Sequence, residues 1–225
     1  TTDETSGATP SAFSAHAKER YESEDITEDQ MKSDINLIWG TENGVATKEM
    51  AAEYGYKYVT TYDEMMSLDE GSKSFAQFTN DLWTLEQSDE NNPTLSQMTE
   101  KAIDLLDDSE NGFFLMVEGA HIDKHSHNNE SENMTEAMTE FDKAIKIALD
   151  YAKEDGNTLV IVTADHETGG LVLGTGQYTL NLQALKYQRM SVSKLSSKLN
   201  ELRKKTNNKV TWEMAQQLLG ECFGL

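Results

Sequence analysis

The chain has 225 residues, 40 of them acidic against 19 basic, for a formal charge of -21. A field of that sign repels phosphate backbones and anionic lipid, which excludes nucleic acid and membrane surfaces as partners, and no apolar run reaches the roughly 18 residues that a membrane span needs. A hydrophobic content of 37% and a single cysteine, Cys222, fit a globular domain with its own core and exclude an intramolecular disulfide framework.

Residues 1–7 are polar and carry neither the basic nor the apolar region of a signal peptide. Thr9 and Pro10 open a predicted helix that runs to Arg20, with Thr9 as cap and proline in the first turn. Residues 34–39 (DINLIW) predict a short strand, 48–54 a helix, 57–61 a strand, 62–68 a helix and 74–79 a weak strand. After a turn at 91–93, Leu95, Met98, Ala102, Leu105 and Leu106 recur at helical spacing over 95–106. The clearest block comes next. FFLMV at 113–117 reads as a buried strand, 118–129 as a polar loop turning into a helix, and 135–154 as a helix carrying Met138, Phe141, Ile145 and Leu149. Gly156 and Asn157 end it, and 158–164 (TLVIVTA) reads as a second buried strand. Fully apolar strands on either side of a helix are the βαβ pattern of a parallel sheet covered on both faces. Beyond Gly170 the chain turns Lys-, Ser- and Asn-rich, with 171–174 as a strand extension and predicted helices at 192–202 and 212–219.

Candidate chemistry gathers at the two apolar strand ends. Asp123 and His127 stand four apart, so a helix puts them on one face where they can chelate one ion, and Glu118 directly follows the first strand. Asp165 and His166 directly follow the second. In open α/β sheets the site lies beyond the carboxyl ends of the strands, so both clusters are delivered to one crevice. Carboxylate with imidazole suits zinc, and carboxylate with hydroxyl suits magnesium. Four of the five histidines (His121, His125, His127 and His166) fall beside these strand ends, which favours a metal site over scattered surface polarity. His121 and His125 lie on other faces of the helix and read as supports or as exposed residues rather than ligands.

Three segments resemble one family. VEGAHIDKHSH at 117–127 resembles the VEGxxIDxxxH motif of alkaline phosphatases; NTLVIVTADHETGG at 157–170 resembles their second metal motif; ATPSAFSAHAKER at 8–20 resembles their ATPAAxxAHxxxR segment. The resemblance covers residues 5–173, and residues 174–225 resemble the helical insertion of some bacterial members. It implies a three-layer α/β/α fold with a largely parallel central sheet, with 1–173 as a partial core and 174–225 as an insertion-like segment. It implies two Zn²⁺ ions, one on Asp123 and His127 and one on Asp165 and His166. One Mg²⁺ falls to Thr9 and Glu118. Arg20 forks onto phosphate, and Lys124 reaches it directly or through water. Gly7 departs from members with a carboxylate or histidine there, which removes any tuning of magnesium from that position.

The implied reaction is hydrolysis of phosphate monoesters to inorganic phosphate through a phosphoserine. The family's Asp-Ser-Ala-rich nucleophile motif has no counterpart here, since Asp108 and Ser109 lack that context. The aspartate bridging zinc and magnesium and the late zinc histidine are absent too. The expectation is therefore an internal segment of a phosphatase, incomplete at both ends and inactive alone. The resemblance also implies a periplasmic, secreted or surface-anchored homodimer. Two other readings compete: a metal-binding pseudoenzyme, and a phosphodiesterase or sulfatase-like hydrolase of the same superfamily. The 9–20 segment together with VEGAHID argues against the second.

Overall fold

A computed structural model of the chain describes residues 1–2, 14–17, 19, 21–79, 91–171 and 186–224. Of the predicted 10–20 helix, residues 14–17 and 19 are described and Ser14 is the one helical position among them; the predicted 171–174 strand lies outside the described residues beyond Leu171. The chain divides into two compact units, Thr1–His121 with Ala137–Thr163, and Ile122–Glu136 with Ala164–Leu225.

The first unit is built on three parallel strands, β1 (Leu37–Thr41), β2 (Lys57–Val59) and β3 (Ser74–Phe78), in the order β1-β3-β2. Trp39 of β1 and Val59 of β2 flank Ala76 of β3 from opposite sides. The two-residue period of a strand then sorts the side chains. Leu37, Trp39, Val59, Ala76 and Phe78 pack with Met65 of α3 (Tyr62–Met66), with Leu95, Met98, Ala102 and Leu105 of α4 (Leu95–Leu106), and with Ala144 of α6 (Ser131–Asp155). Ile38, Tyr58 and Phe75 point the other way, toward Met31 of α1 (Ser23–Lys32) and Ala51 of α2 (Lys48–Glu53). Helices cover both faces of a parallel sheet, which is the expected α/β/α layering. Helix α4 starts with a capping box: Thr94 Oγ1 accepts from the Gln97 N–H and Gln97 Oε1 accepts from the Thr94 N–H.

Several boundaries differ from the sequence reading. β1 begins at Leu37 rather than 34, because Asp34 sits at φ 62 in a turn, its carboxylate 2.6 Å from Lys73 Nζ. Helix α1 was not foreseen, and α6 begins a turn before 135.

The larger correction concerns the two apolar runs. Neither 113–117 nor 158–164 forms a strand among the described residues. Phe114 is 76% exposed, Leu159 81% and Ile161 76%. The first run is partly taken up: Leu115 and Val117 pack against the core, and just beyond it Glu118 bridges Thr2 in parallel, whose N–H donates to the Trp39 carbonyl of β1. An apolar strand is buried only when neighbouring strands take up its backbone groups and layers cover its faces. Among the described residues no strand pairs with 158–164, and Leu159, Ile161 and Val162 stay exposed.

A carboxylate from α6 ties this unit together. Glu140 Oε1 accepts from the Ser96 N–H (3.0 Å) and Ser96 Oγ (2.5 Å) at the start of α4, and Lys143 donates to Oε2. Burial alone pushes this carboxyl up, but the hydrogen bonds from Ser96 and Lys143 outweigh it and hold it below its ordinary value of 4.5. A carboxyl lowered by folding stabilises the fold above its unfolded value, and that contribution is lost as pH falls through the lowered one. Glu140→Gln is therefore expected to cost about 1–3 kcal/mol at pH 7 and to flatten the decline in stability below pH 4.5. Urea titrations at pH 7 and in that acid range, read by the fluorescence of buried Trp39, check both parts.

Candidate metal centre

The second unit carries most of the candidate ligands. Helix α5 (Ala120–His127) places Asp123 and His127 one turn apart, with Asp123 Oδ2 at 3.4 Å from His127 Nε2. The helix ends in a Schellman motif. Asn129 adopts φ 56 and its N–H donates to the Ser126 carbonyl, while the Glu130 N–H donates to the His125 carbonyl. The turn carrying His127 is thereby fixed by backbone bonds.

The 165–170 loop approaches the same aspartate. Thr168 Oγ1 donates to Asp123 Oδ1 at 2.7 Å. Asp165 Oδ2 lies 3.6 Å from His166 Nε2, and the His166 N–H donates to Asp165 Oδ1. His166 Nδ1 sits 2.9 Å from the Glu167 carbonyl. That bond, with the negative charges of Asp165 and Asp123, raises the imidazole pKa above its ordinary value. A metal takes the neutral ring, so its binding there competes with a proton.

The donor pairs fit the ion the sequence points to. Zinc bound at about 2.0–2.2 Å to oxygen and nitrogen, in tetrahedral geometry, spaces two ligand atoms by roughly 3.3–3.5 Å. The Asp123–His127 pair matches that edge and the Asp165–His166 pair is slightly wider. Among the described residues no three His, Cys, Asp or Glu side chains gather closely enough to hold an ion. The described chain thus offers pairs of donors, not a closed cage.

The other candidates fall elsewhere. Glu118 belongs to the first unit, where its carboxylate accepts from Thr2 Oγ1 at 2.8 Å. Lys124 is exposed on α5 beside Asp123. Thr9 and Arg20 lie outside the described residues. His121 and His125 are both buried, so the exposed reading fails for them. Sequence reasoning missed Thr168 and Glu130. Thr168 stands three residues after Asp165 in the ADHETGG loop, which was its only signal; Glu130 carried none, because its bond to Val192 spans 62 residues and its nearer partners, His125 and Asn133, form no motif with it.

The sequence profile of the family described as "Alkaline phosphatase" matches residues 34–217. The chain belongs to the alkaline phosphatase family. It is 35% identical over 187 residues to alkaline phosphatase 4 of Bacillus subtilis, across 77% of this chain and 40% of that protein. A cold-active alkaline phosphatase from the psychrophile Shewanella sp. superposes on 100% of this chain and 55% of its own, with TM-score 0.82 and 28% identity. A mutant of TAB5 alkaline phosphatase solved with Mg bound shares 32% identity and a TM-score of 0.65, over 81% of this chain and 55% of that one. The chain thus spans about 40% of the Bacillus relative's length and about half of the solved alkaline phosphatases. In alkaline phosphatase terms, the α5 and 165–170 motifs come from one contiguous part of a longer architecture.

Proposed function

We propose that the chain provides the metal-holding part of a phosphomonoesterase. Asp123 and His127 hold one Zn²⁺, Asp165 and His166 a second, and Glu118 with Thr9 an Mg²⁺. The observation that carries this reading is the meeting of two separate family motifs at one carboxylate, through the 2.7 Å bond from Thr168 to Asp123. The Mg bound in the TAB5 relative supports the magnesium assignment at family level.

Zinc, when bound, supplies Lewis-acid stabilisation of the attacking and leaving oxygens of an in-line phosphoryl displacement. This chain's own residues orient and neutralise. Arg20 receives two phosphate oxygens on its planar fork. Lys124, one residue from Asp123, adds a point charge toward the phosphate. Thr168 holds the Asp123 carboxylate in a single orientation, so its other oxygen faces His127. Little of this touches a leaving group, which suits broad use of phosphate monoesters. The nucleophilic serine lies outside these 225 residues, and the whole protein is a periplasmic or secreted homodimer.

The test is p-nitrophenyl phosphate hydrolysis with added Zn²⁺ and Mg²⁺, alongside zinc retention, for the chain and its Asp165→Ala variant. The expected result is no turnover by either, with zinc held by the wild type and less by the variant. Metal-dependent turnover that Asp165→Ala abolishes would overturn the outside-serine reading. Equal retention by both would overturn the zinc assignment.

A further inference from the structure

Three helix ends meet at one buried carboxylate in the second unit. Glu130 is 0% exposed and follows the Schellman turn of α5. Its carbonyl accepts from the Met134 N–H, so it also begins α6. Its side chain does neither of these things. Oε2 accepts from His125 Nδ1 at 2.7 Å and from Asn133 Nδ2 at 3.2 Å. Oε1 accepts from the Val192 N–H at 2.5 Å, the first residue of α7 (Val192–Lys205). Ser191 caps that helix and is fully buried. Three residues before Val192 the chain is tied back again, since the Arg189 N–H donates to the Cys222 carbonyl of α8 (Trp212–Phe223).

His125 occupies the turn of α5 between Asp123 and His127. A carboxyl group this deeply buried is retained where its oxygens are hydrogen-bonded. Here they are used to fasten the turn bearing two metal donors to the N-terminus of a helix more than sixty residues on. A helix N-terminus favours a carboxylate, since its first N–H groups have no partner within the helix.

We infer that Glu130 is a positioning residue for the Asp123–His127 pair, coupling its geometry to the docking of α7. The inference rests on the zinc assignment proposed above. Binding a metal across Asp123 and His127 stiffens the last turn of α5, and His125 in that turn passes the constraint to Glu130 and so to the Val192 amide. Because coupling between sites is reciprocal, loosening α7 weakens the metal.

Two variants separate this from a general loss of folding. Glu130→Gln keeps the shape but turns one acceptor into a donor facing a donor. Val192→Pro removes only the donated hydrogen, at the first helical position where proline is tolerated and behind a Ser191 already in the extended conformation that proline requires. Helical content by circular dichroism is checked for both. Zinc affinity is measured by chelator competition, and amide exchange of Val192 with and without zinc. Expected are a zinc affinity about 10–100-fold weaker for Glu130→Gln, the range for residues that orient ligands, and a smaller loss for Val192→Pro. Zinc is expected to slow Val192 exchange in the wild type but not in Glu130→Gln. Wild-type affinity in both folded variants, or no zinc effect on the Val192 amide, overturns the inference alone. Absence of zinc binding by the wild type overturns the zinc assignment and the inference with it.

Discussion

Replacing Phe78 with alanine is expected to cost about 3–5 kcal/mol. The ring ends the central strand and is fully buried in a cluster drawn from two strands on either side and from α3, α4 and α6. β3 is held to β1 through Phe78 and to β2 through Ala76, which limits how far its backbone can shift to fill the void. A loss of that size is a large share of the roughly 5–15 kcal/mol by which a domain is stable. Met66, at the end of α3 and 45% exposed, provides the contrast. Met66→Ala is expected to change stability by less than about 0.5 kcal/mol. Urea midpoints for the two variants measure the difference, and equal midpoints would mean that the sheet is not the stabilising centre of the first unit.

Asp123→Asn is expected to weaken zinc retention on the order of 100-fold. The estimate shares the roughly 10–16 kcal/mol of a four-ligand zinc site among its ligands, which gives about 3 kcal/mol for one of them. The variant keeps the size of the side chain and an oxygen for Thr168, so it removes charge and little else. Ser126→Ala is the matched control. Its hydroxyl donates to the Ile122 carbonyl on the same helix and faces no proposed ligand. Zinc affinity for Ser126→Ala should stay within about twofold of wild type, since a lost exposed helix contact is worth only tenths of a kcal/mol. A chelator series on the three proteins decides it, and a loss shared by both variants would point to the helix rather than to the ligand.

The pairing of Asp123 with His127 was more legible than the sheet, and the reason is distance along the chain. Asp123 with His127 is a four-residue relation that helix geometry alone fixes. Thr168 and Glu130 act through partners 45 and 62 residues away, which no local pattern announces. In the sheet, 74–79 looked weak because Ser74 and Gln77 interrupt its apolar run, yet β3 is central. Both polar residues are satisfied inside: Ser74 Oγ accepts from Trp39 Nε1, while Gln77 Oε1 accepts from the Asn43 N–H and its amide donates to the Ala76 carbonyl. α1 escaped notice for a related reason. Half of its buried face is Thr27 and Gln30, so its periodicity is not apolar. The runs at 113–117 and 158–164 misled in the opposite sense. Their composition states a preference for burial, and composition cannot provide the strands and helices that would carry it out.

The order β1-β3-β2 has a consequence in time. Of the three described strands, the last made is the one both others pair with, so the edges of Leu37–Thr41 and Lys57–Val59 that face Ser74–Phe78 stay open until it has been synthesised. At about 5–20 residues per second, a ribosome leaves β1 waiting for roughly 2–8 s. Over that interval the two facing edges wait, and the arrival of β3 fills both, Ser74–Ala76 against β2 and Ser74–Phe78 against β1.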